Sequence, residues 1–292
     1  MSTEISKICE VEENFDLKKH NTYRLVSSCK YFTSPKNLDE LKELLNFIKE
    51  NKLKYFILGN GSNIILPKFY DGVIISLKKL NNYEIKKNYV YAECGCMMNF
   101  LASKVTNEGY AGLDFATGIP GTIGGCVYGN AGCFGSDISK ILISAEIYDG
   151  KDIITLNNED FKFEYRSSML KSHKDYIVLS CKFKIEKSNL EELKALVKER
   201  TDKRVASQDL SHPSAGSVFR NPEGVSAGKL IDDLGLKGLS VNDAMVSFKH
   251  ANFIINNNNA TGDDVVELID EIKKRVKKEY DIELVLEQEI IK

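Results

Sequence analysis

Residues 117–125 read Thr117-Gly118-Ile119-Pro120-Gly121-Thr122-Ile123-Gly124-Gly125, within a run where nine of the chain's 20 glycines fall between positions 109 and 135. Even spacing of 20 glycines over 292 residues would place fewer than two in that interval. Glycine loses more backbone entropy on folding than any other residue, so a purely structural turn rarely needs so many. The pattern therefore predicts a backbone that a flat ligand or a phosphate group approaches closely.

A second glycine-containing segment, Gly59-Asn60-Gly61-Ser62-Asn63, lies between apolar runs that are predicted strands. It begins like a dinucleotide-binding fingerprint, but Ile64 occupies the sixth position and a strand follows where that fingerprint needs a helix. The glycines expose backbone N–H groups, and with the Ser62 and Asn63 side chains they form a nest that can hold a pyrophosphate. A tight turn without a ligand is the alternative interpretation.

Apolar periodicity predicts a chain of mixed helices and strands. Helices are expected at 37–52, 97–107, 190–204, 227–234 and 263–280, the last one capped by Thr261. Strands are expected at 55–58, 64–66, 73–77, 89–93, 141–148, 152–156, 176–185 and 282–286, with a hairpin turn at Asp149-Gly150-Lys151. This pattern indicates a protein of mixed α and β structure.

Composition excludes several classes of function. Lys+Arg minus Asp+Glu is 40 − 42 = −2, so no bulk basic field exists to recruit nucleic acid. No apolar stretch approaches the ~20 residues of a membrane-spanning helix, and the acidic, polar N-terminus does not resemble a secretory signal. Seven cysteines without a Cys-x-x-Cys motif favour a reducing, cytoplasmic setting, and four scattered histidines make a metal site improbable.

Three further segments carry polar groups suited to chemistry: Tyr165-Arg166-Ser167-Ser168, Ser214-Ala215-Gly216-Ser217-Val218-Phe219-Arg220-Asn221-Pro222 and Glu287-Gln288-Glu289. Taken singly, each has an ordinary structural interpretation as a surface ion pair, a turn hydroxyl or a solvated strand residue. Strand alternation places Glu287 and Glu289 on one face and leaves open which of them faces a pocket. The chain has no Gly-x-Ser-x-Gly motif, so a hydrolase of that type has no support.

Together and in this order, the two glycine segments, Asn130-Ala131-Gly132 and these three polar segments resemble the UDP-N-acetylenolpyruvoylglucosamine reductase family, flavoenzymes of peptidoglycan precursor synthesis. The resemblance runs from Thr22 almost to Lys292. It implies an FAD-binding domain of the vanillyl-alcohol oxidase/PCMH type with two α+β subdomains, at 1–80 and 81–188. A C-terminal α+β substrate-binding domain would follow at 189–292.

The resemblance also implies the ligands and the roles of individual residues. FAD would be bound non-covalently, NADPH would be the co-substrate, and the substrate would be a UDP-sugar. Ser217 would donate a proton, while Arg166 and Glu289 would contact the substrate carboxylate and its enolate. Tyr165, Arg220 and Asn221 would contact the UDP-sugar. FAD would lie against Gly59, Asn60, Gly61, Ser62, Asn63, Thr117, Gly118, Ile119, Pro120, Gly121, Gly124 and Gly125.

The chemistry of the implied reaction agrees with these residue types. NADPH would reduce FAD, and the enolpyruvyl ether would then accept hydride and become UDP-N-acetylmuramate. Hydride addition to an alkene that bears a carboxylate places negative charge on that carboxylate, where a positive group gives the largest stabilisation. Arg166 offers a bidentate fork for a carboxylate, which lysine lacks.

Three departures from the family pattern stand out. Val26-Ser27-Ser28-Cys29 occupies the place of a Gly-Gly-Pro-Ala stretch, and Asp209 follows Gln208 where a proline is usual. Ile291 replaces an arginine two residues after Glu289, so another residue would have to supply that cation. An FAD-dependent oxidase of the same fold acting on an alcohol or sugar, and a non-catalytic sensor of flavin or nucleotide sugar, are the alternative functions. The sequence leaves the oligomeric state open.

Overall fold

The computed structural model describes residues 1–173 and 175–292. Its helices are α1 (Ser2–Ile5), α2 (Leu38–Glu50), α3 (Met98–Asn107), α4 (Ile123–Tyr128), α5 (Leu190–Ser207), α6 (Ala227–Asp233) and α7 (Gly262–Tyr280). Its strands are β1 (Val11–Asp16), β2 (Ser28–Thr33), β3 (Tyr55–Leu58), β4 (Ile64–Ile65), β5 (Phe69–Ser76), β6 (Tyr83–Ile85), β7 (Tyr89–Glu93), β8 (Tyr110–Ala111), β9 (Gly132–Cys133), β10 (Ser136–Asp137), β11 (Leu142–Tyr148), β12 (Ile153–Asn157), β13 (Ile177–Lys184), β14 (Glu186–Lys187), β15 (Ser240–Val241), β16 (Ala244–Val246), β17 (Ile254–Asn256) and β18 (Glu289–Ile290).

The first sheet has the order β1-β2-β5-β3, with β5 parallel to both β2 and β3. Helix α2 connects β2 to β3 and begins at Asn37, whose side chain accepts a hydrogen bond from the Glu40 N–H. Its buried residues are Leu41, Leu44, Leu45 and Ile48, which follow the three-and-four spacing of one helix face. The predicted helix at 37–52 is thereby confirmed.

The second sheet is antiparallel, in the order β12-β11-β13-β7-β6. The predicted turn at Asp149-Gly150-Lys151 joins β11 and β12. In this turn the Asp149 carboxylate accepts from the N–H groups of Lys151 and Asp152. Helix α4 packs on β13 and β7, α3 packs on β8, and the two sheets share one hydrophobic core.

The C-terminal part contains the sheet β15-β16-β17 and helices α6 and α7, which bury a separate core. Thr261 caps α7 in a reciprocal arrangement with Asp264, as its position before an apolar periodic segment predicted. Tyr23, Leu25 and Ile65, from the N-terminal part of the chain, also belong to this core. The α7 side of the molecule is therefore packed against the segments that flank the first glycine loop.

The predicted strand at 282–286 is wrong. Only Leu286 makes an isolated bridge, to Phe219, and the terminal strand is β18, which pairs in parallel with β4. The alternating apolar residues Ile282, Leu284 and Leu286 do pack against the C-terminal core. Two backbone hydrogen bonds flank this bridge, from Arg220 N–H to the Val285 carbonyl and from Glu287 N–H to the Val218 carbonyl, and among the described residues no strand is assigned at 282–285, so the period-two pattern there mainly reflects burial.

The observed helices and sheets make the chain an α+β protein, as predicted. The domain boundaries at 80/81 and 188/189 stay predictions. Helix α5, which follows the second boundary, packs against α3 and against the short helical turn Asp114–Gly118. Within the described residues, no helix is both long enough and apolar enough to cross a membrane.

Candidate active site

A cavity of about 1250 Å³ opens where the two glycine segments meet the C-terminal part of the chain. Pockets for one small ligand usually have ~300–1,000 Å³, so this volume suits a dinucleotide together with a second molecule. Ser217, Arg166 and Glu289 all lie in its wall. So do ten residues predicted to contact FAD, namely Gly59, Asn60, Gly61, Ser62, Asn63, Ile119, Pro120, Gly121, Gly124 and Gly125.

The first glycine loop turns the chain from β3 into β4, as a strand–loop–strand corner. Gly61 has a φ of +65°, and a Cβ atom there would lie 2.5 Å from the His20 carbonyl oxygen. At Gly59 a Cβ atom would lie 2.7 Å from Thr122 Oγ1, in the second glycine segment. Both positions need glycine because the backbone approaches its neighbours closely, and this approach brings the two segments together.

The second glycine segment is not a continuous loop. Residues up to Gly118 belong to the helical turn Asp114–Gly118, and α4 begins at Ile123. Thr122 caps α4 by accepting a hydrogen bond from the Gly125 N–H. Glycines disfavour a helix by ~1 kcal/mol each, so the sequence pattern did not predict α4, and the cap and tertiary packing overcome this preference.

Polar side chains fasten the two segments to each other. Asn60 Nδ2 donates to the Pro120 carbonyl at 2.6 Å, and Asn60 Oδ1 accepts from Lys78 Nζ at 2.7 Å. On the other side, the Arg204 guanidinium of α5 donates to the Gly118 carbonyl. Burial lowers the pKa of both Lys78 and Arg204. Two partly desolvated cations therefore flank the glycine backbone.

Two residues predicted to contact FAD lie outside the cavity wall. The Thr117 hydroxyl donates to the Asp114 carbonyl within the helical turn, and the Gly118 carbonyl is occupied by Arg204. Both residues shape the segment that precedes Ile119, which does line the cavity.

Ser217 is held at the cavity by the segment around it. It bridges Phe253, and the next residue, Val218, donates its N–H to the Asn252 carbonyl. Gln288 Nε2 lies 3.2 Å from the carbonyl oxygens of both Ala215 and Gly216. The buried Tyr23 hydroxyl donates to Gln288 Oε1 at 3.0 Å, which orients this amide. Gln288 thus links the backbone before Ser217 to the segment that carries Glu287 and Glu289.

Both glutamates line the cavity, but they have different partners. Glu287 Oε1 lies 2.7 Å from Arg166 Nε, and Arg220 Nη2 donates to the Arg166 carbonyl. Burial raises the pKa of Glu287, and the charges of Arg166, Arg220 and Lys171 offset this only in part. Arg166 has a φ of +56°, a left-handed conformation that non-glycine residues seldom adopt and that occurs often at functional sites.

Glu289 forms a separate cluster with Lys171 and Tyr128. Lys171 Nζ lies 2.8 Å from Glu289 Oε1, and the Tyr128 hydroxyl donates to Glu289 Oε2 at 3.3 Å. Lys171 Nζ also lies 5.5 Å from the centre of the Tyr128 ring. Burial and the adjacent Glu289 raise the pKa of Tyr128, so its hydroxyl stays protonated and donates. The cluster fixes Glu289 at the cavity edge.

Two family models match the chain. Residues 29–155 match an FAD-binding domain, and residues 208–291 match the C-terminal domain of UDP-N-acetylenolpyruvoylglucosamine reductase. The enzyme of that name from Caldanaerobacter subterraneus subsp. tengcongensis is 38% identical over 290 residues, covering 99% of this chain and 96% of the relative. The one from Caldicellulosiruptor saccharolyticus is 40% identical over 279 residues, covering 94% and 90%. The chain belongs to the UDP-N-acetylenolpyruvoylglucosamine reductase family.

Solved structures agree with this family. The crystal structure of UDP-N-acetylenolpyruvylglucosamine reductase from Thermus caldophilus matches 97% of this chain and 99% of its own, with a TM-score of 0.80 and 31% identity. BBE-like 1 of Physcomitrella patens matches 64% of this chain with a TM-score of 0.50 and 13% identity. The second likeness concerns the fold alone. Together with the match of residues 29–155 to an FAD-binding domain, this shared fold bears out the predicted fold class.

The three residues predicted to contact the UDP-sugar do not lie in the wall of the reductase-family cavity. The Tyr165 side chain is 56% exposed, with the Arg166 guanidinium 5.5 Å from its ring centre. Arg220 lies behind Arg166, and the exposed Asn221 accepts from the Ala227 N–H at the start of α6. In this conformation Asn221 has a structural contact, and the substrate roles of all three stay predictions.

Sequence reasoning assigned no role to five polar residues that shape this reductase-family site: Lys78, Tyr128, Lys171, Arg204 and Gln288. Tyr128 and Lys171 each lie three residues beyond a recognised segment, which is the only signal that marks them in the sequence. Gln288 lies between Glu287 and Glu289. Strand alternation places its side chain on the opposite face from theirs, which indicates that it points into the core.

Proposed function

We propose that this chain reduces UDP-N-acetylglucosamine enolpyruvate to UDP-N-acetylmuramate, with NADPH as hydride donor and non-covalently bound FAD. The observation that carries the proposal is a single cavity with the glycine segments at one part of its wall and Ser217, Arg166 and Glu289 at another. Membership of the reductase family supports the same reaction.

The residues of the cavity fit FAD. Closely approached glycines leave backbone available to a phosphate, and two half-buried cations, Lys78 and Arg204, lie beside them. Bound FAD supplies the hydride chemistry, and the protein binds and orients the reactants. The ring of His20, the histidine nearest to the first glycine loop, packs against Phe15 and Phe32, and this arrangement favours non-covalent FAD.

In the proposed reaction, Arg166 stabilises the charge that develops on the substrate carboxylate. Its Nε lies 2.7 Å from Glu287 Oε1, and this ion pair restrains the guanidinium before the substrate arrives. The raised pKa of Glu287 fits a site in which a second full negative charge beside the substrate would be unfavourable. Glu289, held by Lys171 and Tyr128, is assigned to the enolate.

Ser217 is assigned the final proton transfer, to the substrate carbon. Serine is a weak acid, but an enolate carbon is basic enough to take its proton when the hydroxyl is held within reach. The hydrogen bonds from Gln288 Nε2 to the carbonyls of Ala215 and Gly216 fix the backbone next to Ser217. We assign the reaction to the cytoplasm, the compartment that supplies nucleotide substrates and keeps cysteines reduced.

The Ser217→Ala variant tests this function. We expect it to bind FAD normally and to be reduced by NADPH at the wild-type rate, because neither step uses the hydroxyl. Turnover of the enolpyruvyl substrate should fall roughly 10²-fold or more. Stopped-flow absorbance of the flavin separates the two half-reactions. Ser240→Ala, in an exposed strand, is the matched control.

Four outcomes would contradict the proposal. Wild-type turnover by Ser217→Ala would remove the proton-donor assignment. A purified protein that is colourless and cannot be reconstituted with FAD would remove the flavoenzyme assignment. Rapid oxygen consumption with an alcohol or sugar, and no enolpyruvyl reduction, would favour the oxidase of the same fold. Binding of flavin and UDP-sugar without turnover would favour the sensor.

A further inference from the structure

Lys78 lies just beyond β5, half-buried in the cavity wall beside the first glycine loop. Burial lowers its pKa, and no neighbouring carboxylate of the described residues acts to raise it. The adjacent Lys79 is different, since it points outward and forms a 3.0 Å ion pair with Glu10. Removing an ammonium group from water without a counter-ion is unfavourable, so the position of Lys78 needs an explanation.

The surroundings of Lys78 orient its charge without neutralising it. Asn60 Oδ1 accepts a hydrogen bond from one of the three N–H groups of Lys78, while Asn60 Nδ2 donates to the Pro120 carbonyl. The amide thereby holds the ammonium group at the junction of the two glycine segments. His20 cannot serve as a counter-ion, because an imidazole is neutral or positively charged; burial and the charge of Lys78 lower its pKa and favour the neutral form. Among the described residues Asn60 is the one hydrogen-bond acceptor for the Lys78 ammonium group, so two of its donors are available to a ligand.

We propose that Lys78 binds a phosphate group of FAD at the junction of the two glycine segments. The phosphate supplies the counter-ion that the protein lacks there, and the glycine backbone allows it to approach the ammonium group. The inference rests on FAD binding, as in the proposed function, and it does not depend on which substrate is reduced. Asn60 acts as the positioning residue for this cation.

The test compares ligands that differ in phosphate content. FAD and riboflavin are titrated into the flavin-free full-length chain, as wild type and as Lys78→Met, Lys78→Arg and Lys79→Met. We expect Lys78→Met to weaken FAD binding roughly 10- to 100-fold, as for loss of a charge-assisted hydrogen bond, and to leave riboflavin binding unchanged. Lys78→Arg should retain most of the FAD affinity, and Lys79→Met should bind like wild type.

Two further measurements separate ligand binding from a structural role. The FAD affinity of wild type should fall more steeply with salt than that of Lys78→Met, because one ionic contact is absent in the variant. The flavin-free Lys78→Met protein should melt at the same temperature as wild type or higher, since an unpaired buried charge has been removed. Unchanged FAD affinity in Lys78→Met would overturn the inference, as would a lowered melting temperature with equal losses for FAD and riboflavin. A wild-type chain that binds no FAD would instead refute the proposed function.

Discussion

Single residues distinguish the two glutamates of the Glu287-Gln288-Glu289 segment. Glu287, whose side chain is 14% exposed, is the partner of Arg166, and Glu289, 31% exposed, is the partner of Lys171 and Tyr128. The sequence predicts that both side chains share a strand face, because they are two positions apart. It does not predict their partners, since those come from segments distant along the chain.

Lys171 forms an ion pair with Glu289 in a chain where Ile291 replaces the arginine expected two positions later. If Lys171 supplies that charge, Lys171→Met should lower the turnover of the enolpyruvyl substrate roughly tenfold, and Lys171→Arg should restore most of it. NADPH reduction of the flavin should be unaffected, as stopped-flow absorbance would report.

A double-mutant cycle checks that Lys171 acts through Glu289. In a Glu289→Gln background the further change Lys171→Met should have little additional effect, since the ion pair is already absent. An undiminished tenfold loss in that background would show that Lys171 acts on the substrate or the fold by another route.

At the scale of elements, local rules account for what the sequence predicts well. Helices α2 and α7 have periodic apolar faces and capping residues, and the β11–β12 hairpin has an Asp-Gly turn. The structure of α4 and the β4–β18 pair depends on distant contacts. Asn63 and Glu287, whose hydrogen bond joins the ends of that pair, are 224 positions apart. No periodic pattern carries such information.

The first glycine loop depends on close backbone contacts that Gly61→Ala should disrupt. Its φ of +65° already disfavours a side chain by ~1–2 kcal/mol, and the added Cβ would meet the backbone of His20 and Asn21 at 2.5 and 2.7 Å. We expect the free energy of unfolding to fall by roughly 2–4 kcal/mol and FAD affinity to fall with it.

Gly224→Ala is the matched control for that change. Its φ is +75°, but a Cβ atom there would have no neighbour within 4 Å. Only the conformational term remains, so the loss should be ~1–2 kcal/mol with FAD affinity intact. Equal losses in both variants, measured by urea unfolding, would show that steric contact at Gly61 is unimportant.

The whole molecule combines a net charge of −2 with a site for ligands that bear several phosphates. A basic surface is therefore not what holds these anions. In the proposed function, glycine backbone and placed cations, among them Lys78, Arg204 and Arg166, favour these anions. Such binding should depend less on salt than binding to a basic surface, because half-buried charges are screened less.

Asp209 joins two parts of the molecule, the segment after α5 and the β16–β17 region. Ser247, a buried residue after β16, donates to Asp209 Oδ2 at 3.0 Å, and Ser211 donates to Oδ1 at 2.8 Å. Burial acts to raise the pKa of Asp209, but the hydrogen bonds with His212, Ser211 and Ser247 outweigh it and lower the pKa to about 2. At the position where a proline is expected from the family pattern, this chain therefore has a carboxylate whose hydrogen bonds connect two parts of the molecule.

The hydrogen-bonded Asp209 carboxylate predicts a pH dependence of the free energy of unfolding. The folded pKa of about 2 lies below the unfolded value near 3.8, so the carboxylate stabilises the fold above pH 3.8. This contribution, about 2 kcal/mol, is lost as pH falls from 3.8 toward 2. Urea unfolding should show Asp209→Asn less stable than wild type at pH 7, with the difference shrinking between pH 4 and pH 3. The control is Asp233→Asn, which removes an exposed ion pair with Lys229 in α6. Its free energy of unfolding should differ from that of wild type by less than ~0.5 kcal/mol at pH 7. A difference between Asp209→Asn and wild type that stays constant down to pH 3 would mean that the carboxylate charge does not stabilise this junction.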